Sequence, residues 1–305
     1  MLAGTSAPFD SAAHLFEIKW DGIRALAFFG PGVARLQGRK LGDSSNRYPE
    51  IVAGIAKLPG SGILDGEIVV LDEDGRPSFQ RVLVREQTAR REDALIKSRK
   101  HPVVYIVFDL LYRNARALFE LPLIERKNLL SELLASPPSP LVENAFVLGQ
   151  GRALYQQATD KCLEGVVAKR LGSRYLPGER TRDWLNLKVR RTTDGVLVGL
   201  VRDRGGGRVK SLVLASHEEG ALVWLGNVGS GLDQDTLSQL GTELETIETQ
   251  RPAVLAEGPG VIQWLEPRLV VRVEYSELTN DGRLRHPVFL GFVQRSPEDC
   301  LKPSR

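Results

Sequence analysis

Cysteine is almost missing from this chain: Cys162 and Cys300 are the only two in 305 residues, and their separation matches no metal-ligand spacing. Long apolar runs are missing too, since none approaches the roughly 18 residues that a membrane-spanning helix needs. The opening stretch, MLAGTSAPFDSAAH, has neither the basic start nor the apolar centre of a secretory signal. These absences lead to the expectation of a cytoplasmic protein with no membrane partner. An excess of charge is lacking as well. The 41 Lys and Arg against 38 Asp and Glu leave a net +3, which taken whole argues for no particular partner. There is no internal repeat and no low-complexity stretch.

What is present is strand signal. RALAFFG, GEIVVLD, VVYIVFDLLY, GVVAKR, WLNLKV, GVLVGLV, SLVLAS, ALVWLG and RLVVRVEYSEL are short, rich in Val, Ile and Leu, and bounded by turn residues. Helical patterns are fewer. Pro122 opens LPLIERKNLLSELL, which Pro137-Pro138 stops, and GRALYQQATDKC reads as a second helix. In LDQDTLSQLGTELETI, Leu237, Leu240, Leu244 and Ile247 recur at helical spacing. The polar, basic segment KVRRTTDGVL separates two strand-rich regions, which sets the expected domains at residues 1–190 and 191–305. Charge divides unevenly between them: 28 basic against 22 acidic residues (+6) in the first, 13 against 16 (−3) in the second. The first could hold a polyanion; the second is not a generic basic nucleic-acid module. Its strand count suits a small barrel such as an OB-fold.

In LFEIKWDGIR, residues 15–24, an alternating strand runs into a turn at Asp21-Gly22 and leaves Lys19 at its end. A lysine there is either a solvated edge charge or a nucleophile. Five further stretches follow in order: GRKLGDSSNRYPE (38–50), DGE (65–67), YIVFDLLY (105–112), EGVVAKR (164–170) and WLNLKV (184–189). Together with KWDGIR, and with LRHPVFLGF near the end, they resemble the covalent nucleotidyltransferases, most closely the bacterial ATP-dependent DNA ligases of the end-joining repair type.

The resemblance implies an α+β architecture: a nucleotidyltransferase (adenylation) domain of antiparallel sheets with flanking helices, then a C-terminal OB-fold barrel. It implies ATP as the source of an AMP carried on Lys19, Mg²⁺ or Mn²⁺ as the metal, and nicked double-stranded DNA as the partner of a monomeric enzyme. Lys19, Arg24 and Lys188 become the expected catalytic residues. An ammonium is no nucleophile, so neighbouring cations, Lys188 and a bound metal, are expected to depress the Lys19 pKa. Glu67 and Glu164 offer the hard carboxylate oxygens that suit Mg²⁺, with Glu67 alternatively on the ribose. Phe108 is either core or the platform for adenine, and Tyr105, three residues away, faces the opposite side of the strand. Arg24 and Arg39, placed two residues and one residue after a glycine, suit the ribose and the 5′-phosphate of the nick. Glu17, with Ile18 beside it, is placed near adenine, and Lys169 and Lys188 on the triphosphate.

Two departures from that family stand out. Asn186 occupies a position where a second lysine is usual, so a hydrogen-bond donor replaces a charge. After LRHPVFL, Val293 and Ser296 fall where arginine and lysine are expected, leaving Arg295 and Lys302 as the tail's cations. Slow self-adenylylation, partly supported by Arg295, is the expectation. Residues 76–100 hold eight basic side chains against three acidic, and these are either a solvated face or phosphate contacts. RDRGGGRVKS lacks G-K-[ST] and reads as a hairpin turn. The rival functions are an RNA ligase or another covalent nucleotidyltransferase, and a nick-binding protein with weak catalysis.

Overall fold

The computed structural model describes the chain except residues 89, 204–206, 234–243, 245, 259, 280 and 304–305. It divides into two compact units, Met1–Val189 and Arg190–Arg305.

Two sheets build the first unit. One runs in the order β1 (Leu2–Thr5), β11 (Arg180–Lys188), β10 (Gly165–Arg170), β2 (Ser11–Lys19), β9 (Phe146–Gly149). The other runs β4 (Val33–Gly38), β3 (Ile23–Gly30), β5 (Gly62–Val70), β6 (Val103–Arg113), β7 (Arg116–Ala117), with β8 (Leu141–Glu143) beside β6. Pairing is antiparallel except for β1 on β11 and β8 on β6.

Because strand side chains alternate between faces, each sheet sorts its residues in two. Phe16, Val166, Ala168 and Leu187 turn to α5 (Gly151–Asp160) and bury with its Ala158. Ala25, Ala27, Leu64, Ile68 and Tyr105 pack with Ile51 and Ile55 of α1 (Pro49–Ile55) and Leu130 of α4 (Leu123–Leu133). The remaining faces meet: Trp184 of β11 joins Leu26, Ile63 and Phe108 of the other sheet in a smaller apolar cluster. A cavity opens beside that cluster, between the two sheets.

Proline marks two helix starts, Pro49 in the first turn of α1 and Pro122 at the cap of α4. The basic stretch folds into α2 (Phe79–Glu86) and α3 (Arg91–Lys100). Arg85 there is fully buried. It donates to both oxygens of Glu50, at 2.6 and 3.0 Å, and to the carbonyls of Arg47 and His101. This cation is a strut inside the fold, whereas Arg90, Arg91, Arg99 and Lys100 are exposed.

The second unit is an antiparallel sheet in the order β14 (Ala221–Val228), β13 (Val209–Glu218), β12 (Arg191–Arg202), β15 (Val261–Tyr275), β18 (Val288–Val293). A bridge between Ser230, just past β14, and Val288 of β18 brings its two edges together, as an OB-type barrel requires. A bulge at Leu197/Gly199 bends β12, and both faces of that strand are buried. The short β16 (Glu277–Leu278) and β17 (Leu284–Arg285) form a hairpin. Arg202 pairs with Val209 at the base of the expected RDRGGGRVKS turn, whose tip lies outside the described residues. So does most of the expected helix over 232–247, including Leu237 and Leu240; Leu244 and Ile247 are described and buried. No helix of the described residues is long and apolar enough to cross a membrane.

Candidate active site

Strand register assembles the site. Three cross-strand rows share the inner face of the first sheet: Lys19, Gly165 and Lys188; Glu17, Val167 and Asn186; Leu15, Lys169 and Trp184. Strands lie about 4.8 Å apart, so Lys19 and Lys188 stand roughly 10 Å apart with only Gly165 between them. No side chain fits there. A Cβ on Gly165 would come within 2.3 Å of the Leu187 carbonyl, and its φ of +147° favours glycine in any case. The row therefore presents two lysines across an open backbone floor.

Lys19 closes β2 where the chain turns through Asp21 and Gly22. That turn is tight against β5: a Cβ on Gly22 would meet the Ile68 carbonyl at 2.3 Å. The Lys19 ammonium donates to Glu164, the residue before β10. The carboxylate of Glu67, on β5 beside Arg24, forms no hydrogen bond or ion pair among the described residues. Burial pushes its carboxyl up to about 8, against the pull of Lys19 and Arg24 and with Glu164 near enough to add to the rise. A carboxyl so placed gains by meeting a further cation. Glu67 and Glu164 together fit a divalent metal that takes one or two carboxylates and completes its shell with phosphate and water.

The cavity measures about 320 Å³ and its wall includes Glu17, Lys19, Arg24, Arg39, Glu67 and Lys169. Phe108, half-buried at its edge, lies against Trp184 in a T-shaped contact with centroids 6.2 Å apart. Tyr105 is buried on the opposite side of β6 and donates to the Ala25 carbonyl. Ile18 points its side chain into the α5 core, and its carbonyl accepts from Asn144 at 3.4 Å. Lys188 is exposed and does not line the cavity; it belongs to the site by its row.

Charged side chains at the wall are held from behind. The Arg24 guanidinium donates to both oxygens of the fully buried Asp65, at 2.9 and 2.6 Å, and to the Met1 carbonyl. Tyr175 donates to the same carboxylate at 2.8 Å. Glu17 is buried between two lysines: Lys127 meets one oxygen and Lys169 the other, the latter at 2.6 Å. Burial opposes its charge, but those lysines hold the carboxyl below the usual range. The Lys169 ammonium sits 4.4 Å from the Phe108 ring centre and 4.2 Å from Trp184. Asn186 lines the wall where a lysine was expected.

Sequence reasoning missed Asp65, Asn144, Trp184 and Trp20. Period-two spacing held a signal for two of them, because Asp65 precedes Glu67 by two residues and Trp184 precedes Asn186 by two. Asn144 had no such signal. It accepts from Trp20 at 2.9 Å and donates to Glu17 across more than 120 residues of chain. In the second unit the tail cations pair with carboxylates of that unit. Arg295 donates to Asp194 at 2.9 Å, and Lys302 donates to both oxygens of Glu218.

Comparison with known proteins gives the same reading by an independent route. A family described as "ATP dependent DNA ligase domain" matches residues 4–188, and "ATP dependent DNA ligase C terminal region" matches 205–294. The multifunctional non-homologous end joining DNA repair protein LigD of Mycobacterium tuberculosis (strain H37Rv) is 36% identical over 311 aligned residues. That alignment takes in 98% of this chain and 39% of the relative. LigD of Pseudomonas aeruginosa is 33% identical over 92% of this chain and 34% of its own length. The chain thus spans a little over a third of these relatives. The crystal structure of the ligase domain from M. tuberculosis LigD superposes with a TM-score of 0.57 at 32% identity, covering 99% of this chain and 97% of that one. A mycobacterial DNA ligase D complexed with ATP and MES gives 0.54 at 31%, covering 99% and 98%.

Proposed function

Because the chain belongs to the ATP-dependent DNA ligase family, we propose that it seals nicks in duplex DNA through an AMP carried on Lys19, in end-joining repair. The observation that carries this is the Lys19–Gly165–Lys188 row, with Glu164 on the lysine and Glu67, Phe108 and Lys169 around the adjoining cavity.

In the first step the Lys19 nitrogen attacks the α-phosphorus of ATP, and the bond to pyrophosphate breaks. The ammonium, paired with Glu164, must first lose a proton. Lys169, and Lys188 across the floor, offset the charge of the triphosphate. Phe108 supplies an aromatic face for adenine, worth about 1 kcal/mol beyond burial. Glu17, ion-paired with Lys127 and Lys169 and accepting from Asn144, lies on the cavity wall near the place proposed for adenine. Mg²⁺ or Mn²⁺ held by Glu67 and Glu164 would neutralise charge at the α-phosphate. In the second step the 5′-phosphate of the nick displaces Lys19 from the AMP. In the third the 3′-hydroxyl attacks that phosphate and AMP leaves. Arg24, fixed by Asp65, and the exposed Arg39 are the groups offered to ribose and 5′-phosphate. Positioning and charge neutralisation do most of the work in such transfers.

In this reading residues 1–190 are the adenylation domain and 191–305 an OB-fold domain that completes the grip on the duplex. One chain suffices, since the cavity wall comes wholly from residues 2–186. An enzyme of bacterial chromosomal repair would work in the cytoplasm. Incubation with labelled ATP or GTP, then with nicked DNA or nicked RNA, tests the proposal. Label from ATP that passes to nicked DNA is expected; labelling by GTP, or sealing confined to RNA, contradicts it.

A further inference from the structure

Lys127 stands out among the charged residues that the mechanism leaves unused. It lies on α4, is fully buried, and is not part of the cavity wall. Lysine is almost never so buried unless paired. Its ammonium meets one oxygen of Glu17, comes within 3.4 Å of the Asn144 carbonyl, and stands 5.3 Å from the Phe146 ring centre. Glu17 gives its other oxygen to Lys169, which does line the cavity.

The charges decide what Lys127 is for. A buried Glu17 with Lys169 alone would make a neutral pair and cancel the cation that faces the phosphates. With Lys127 behind it, Glu17 has a counterion of its own, and the trio carries a net +1 whose cation on the cavity wall is Lys169. Coulomb attraction is weakly screened at such depth. We propose that Lys127 is a positioning residue, set behind the pocket, that satisfies Glu17 and thereby leaves the charge of Lys169 available to the triphosphate of ATP. The inference rests on the nucleotidyl-transfer reading above and adds to it a residue that touches no substrate. Burial also lowers the Lys169 pKa; Glu17 works against that shift and Lys127 adds to it.

Single-turnover self-adenylylation of the full chain, measured against ATP concentration, tests the idea beside melting temperatures. Wild-type protein that takes no label would defeat the ligase reading itself and is distinguishable from every result below. In Lys127→Met, half-saturation by ATP should move up about tenfold. Sealing of a nick that is already adenylated needs no triphosphate and should change far less. Removing the carboxylate as well, in Lys127→Met with Glu17→Gln, should bring half-saturation to the value of Glu17→Gln alone. That comparison holds even where Lys127→Met does not fold, because both Glu17→Gln variants leave Lys169 equally without its carboxylate partner and differ only at position 127. A lower melting temperature with unchanged ATP dependence would make Lys127 a purely structural residue. A double variant clearly weaker toward ATP than Glu17→Gln would overturn the proposal too.

Discussion

Gly22 shows how little room the site leaves at the level of single residues. It follows Lys19 by three positions and brings the turn to within a Cβ's width of β5. Gly22→Ala places a methyl group 2.3 Å from the Ile68 carbonyl and 2.8 Å from Val69. Neither can give way without moving the strand that carries Glu67. We expect a loss of about 1–3 kcal/mol in stability, measured by urea unfolding, and a larger relative loss of self-adenylylation because Lys19 and Glu67 shift together. Unchanged stability would mean that the turn relaxes freely. Lys19, Glu67, Glu164 and Phe108 were picked out from the sequence because each sits in a short motif, although Glu67 and Phe108 lie within β5 and β6 and not at a strand end. Lys127 and Asp65 were harder for opposite reasons. Lys127 belongs to a helical pattern in which a lysine looks solvated, and its partner is 110 positions away. Asp65 was inside a quoted motif, yet its role needs Arg24 on the neighbouring strand.

Single elements were legible where hydrophobic patterning was strong. VVYIVFDLLY became β6, GVVAKR became β10, and Pro122 opened α4. α3 carried almost no apolar signal, with Ala94 its only buried residue, so its stretch offered charge and little periodicity. Arg85 was unreadable as a buried strut because Glu50 lies on another element. The tail after β18 teaches a similar lesson. Arg295, which was expected to serve the leaving group, is one of two arginines on Asp194, the other being Arg272 of β15. Hydrogen bonding from Arg272, then from Arg295, outweighs burial and holds the Asp194 carboxyl below its usual range. A depressed carboxylate contributes stability that is present above the ordinary carboxylate pKa and is lost as pH falls through its folded value. The second unit of wild-type protein should therefore lose melting temperature as pH falls below about 4. Asp194→Asn should lower the melting temperature at neutral pH and flatten that acid limb. An acid limb of wild-type steepness in Asp194→Asn would show that the cluster contributes nothing.

For the whole molecule, the uneven charge has a measurable consequence. The first unit carries the surplus of basic residues, and several cations of α3 are exposed. Duplex binding should rest on phosphate contacts made mainly there, with counterion release making it steeply salt-dependent. Affinity for nicked DNA is expected to fall at least about a hundredfold between about 50 and 200 mM salt. A flat response in a filter-binding or anisotropy titration would contradict this. The order of the motifs along the chain conveyed the architecture, because sheets that pair β2 with β10 and β10 with β11 need those stretches in the same fold. The cavity between the sheets depends instead on which faces turn inward, and that emerges only when rows from distant strands are set side by side.

The most direct test is an intact mass measurement of the purified protein after exposure to ATP and Mg²⁺, followed by peptide mapping. One AMP added per chain through a phosphoramidate, placed on Lys19 and absent from Lys19→Ala, is the predicted result. No adduct in the wild type, or an adduct that maps to Lys188 or another lysine, would contradict the account.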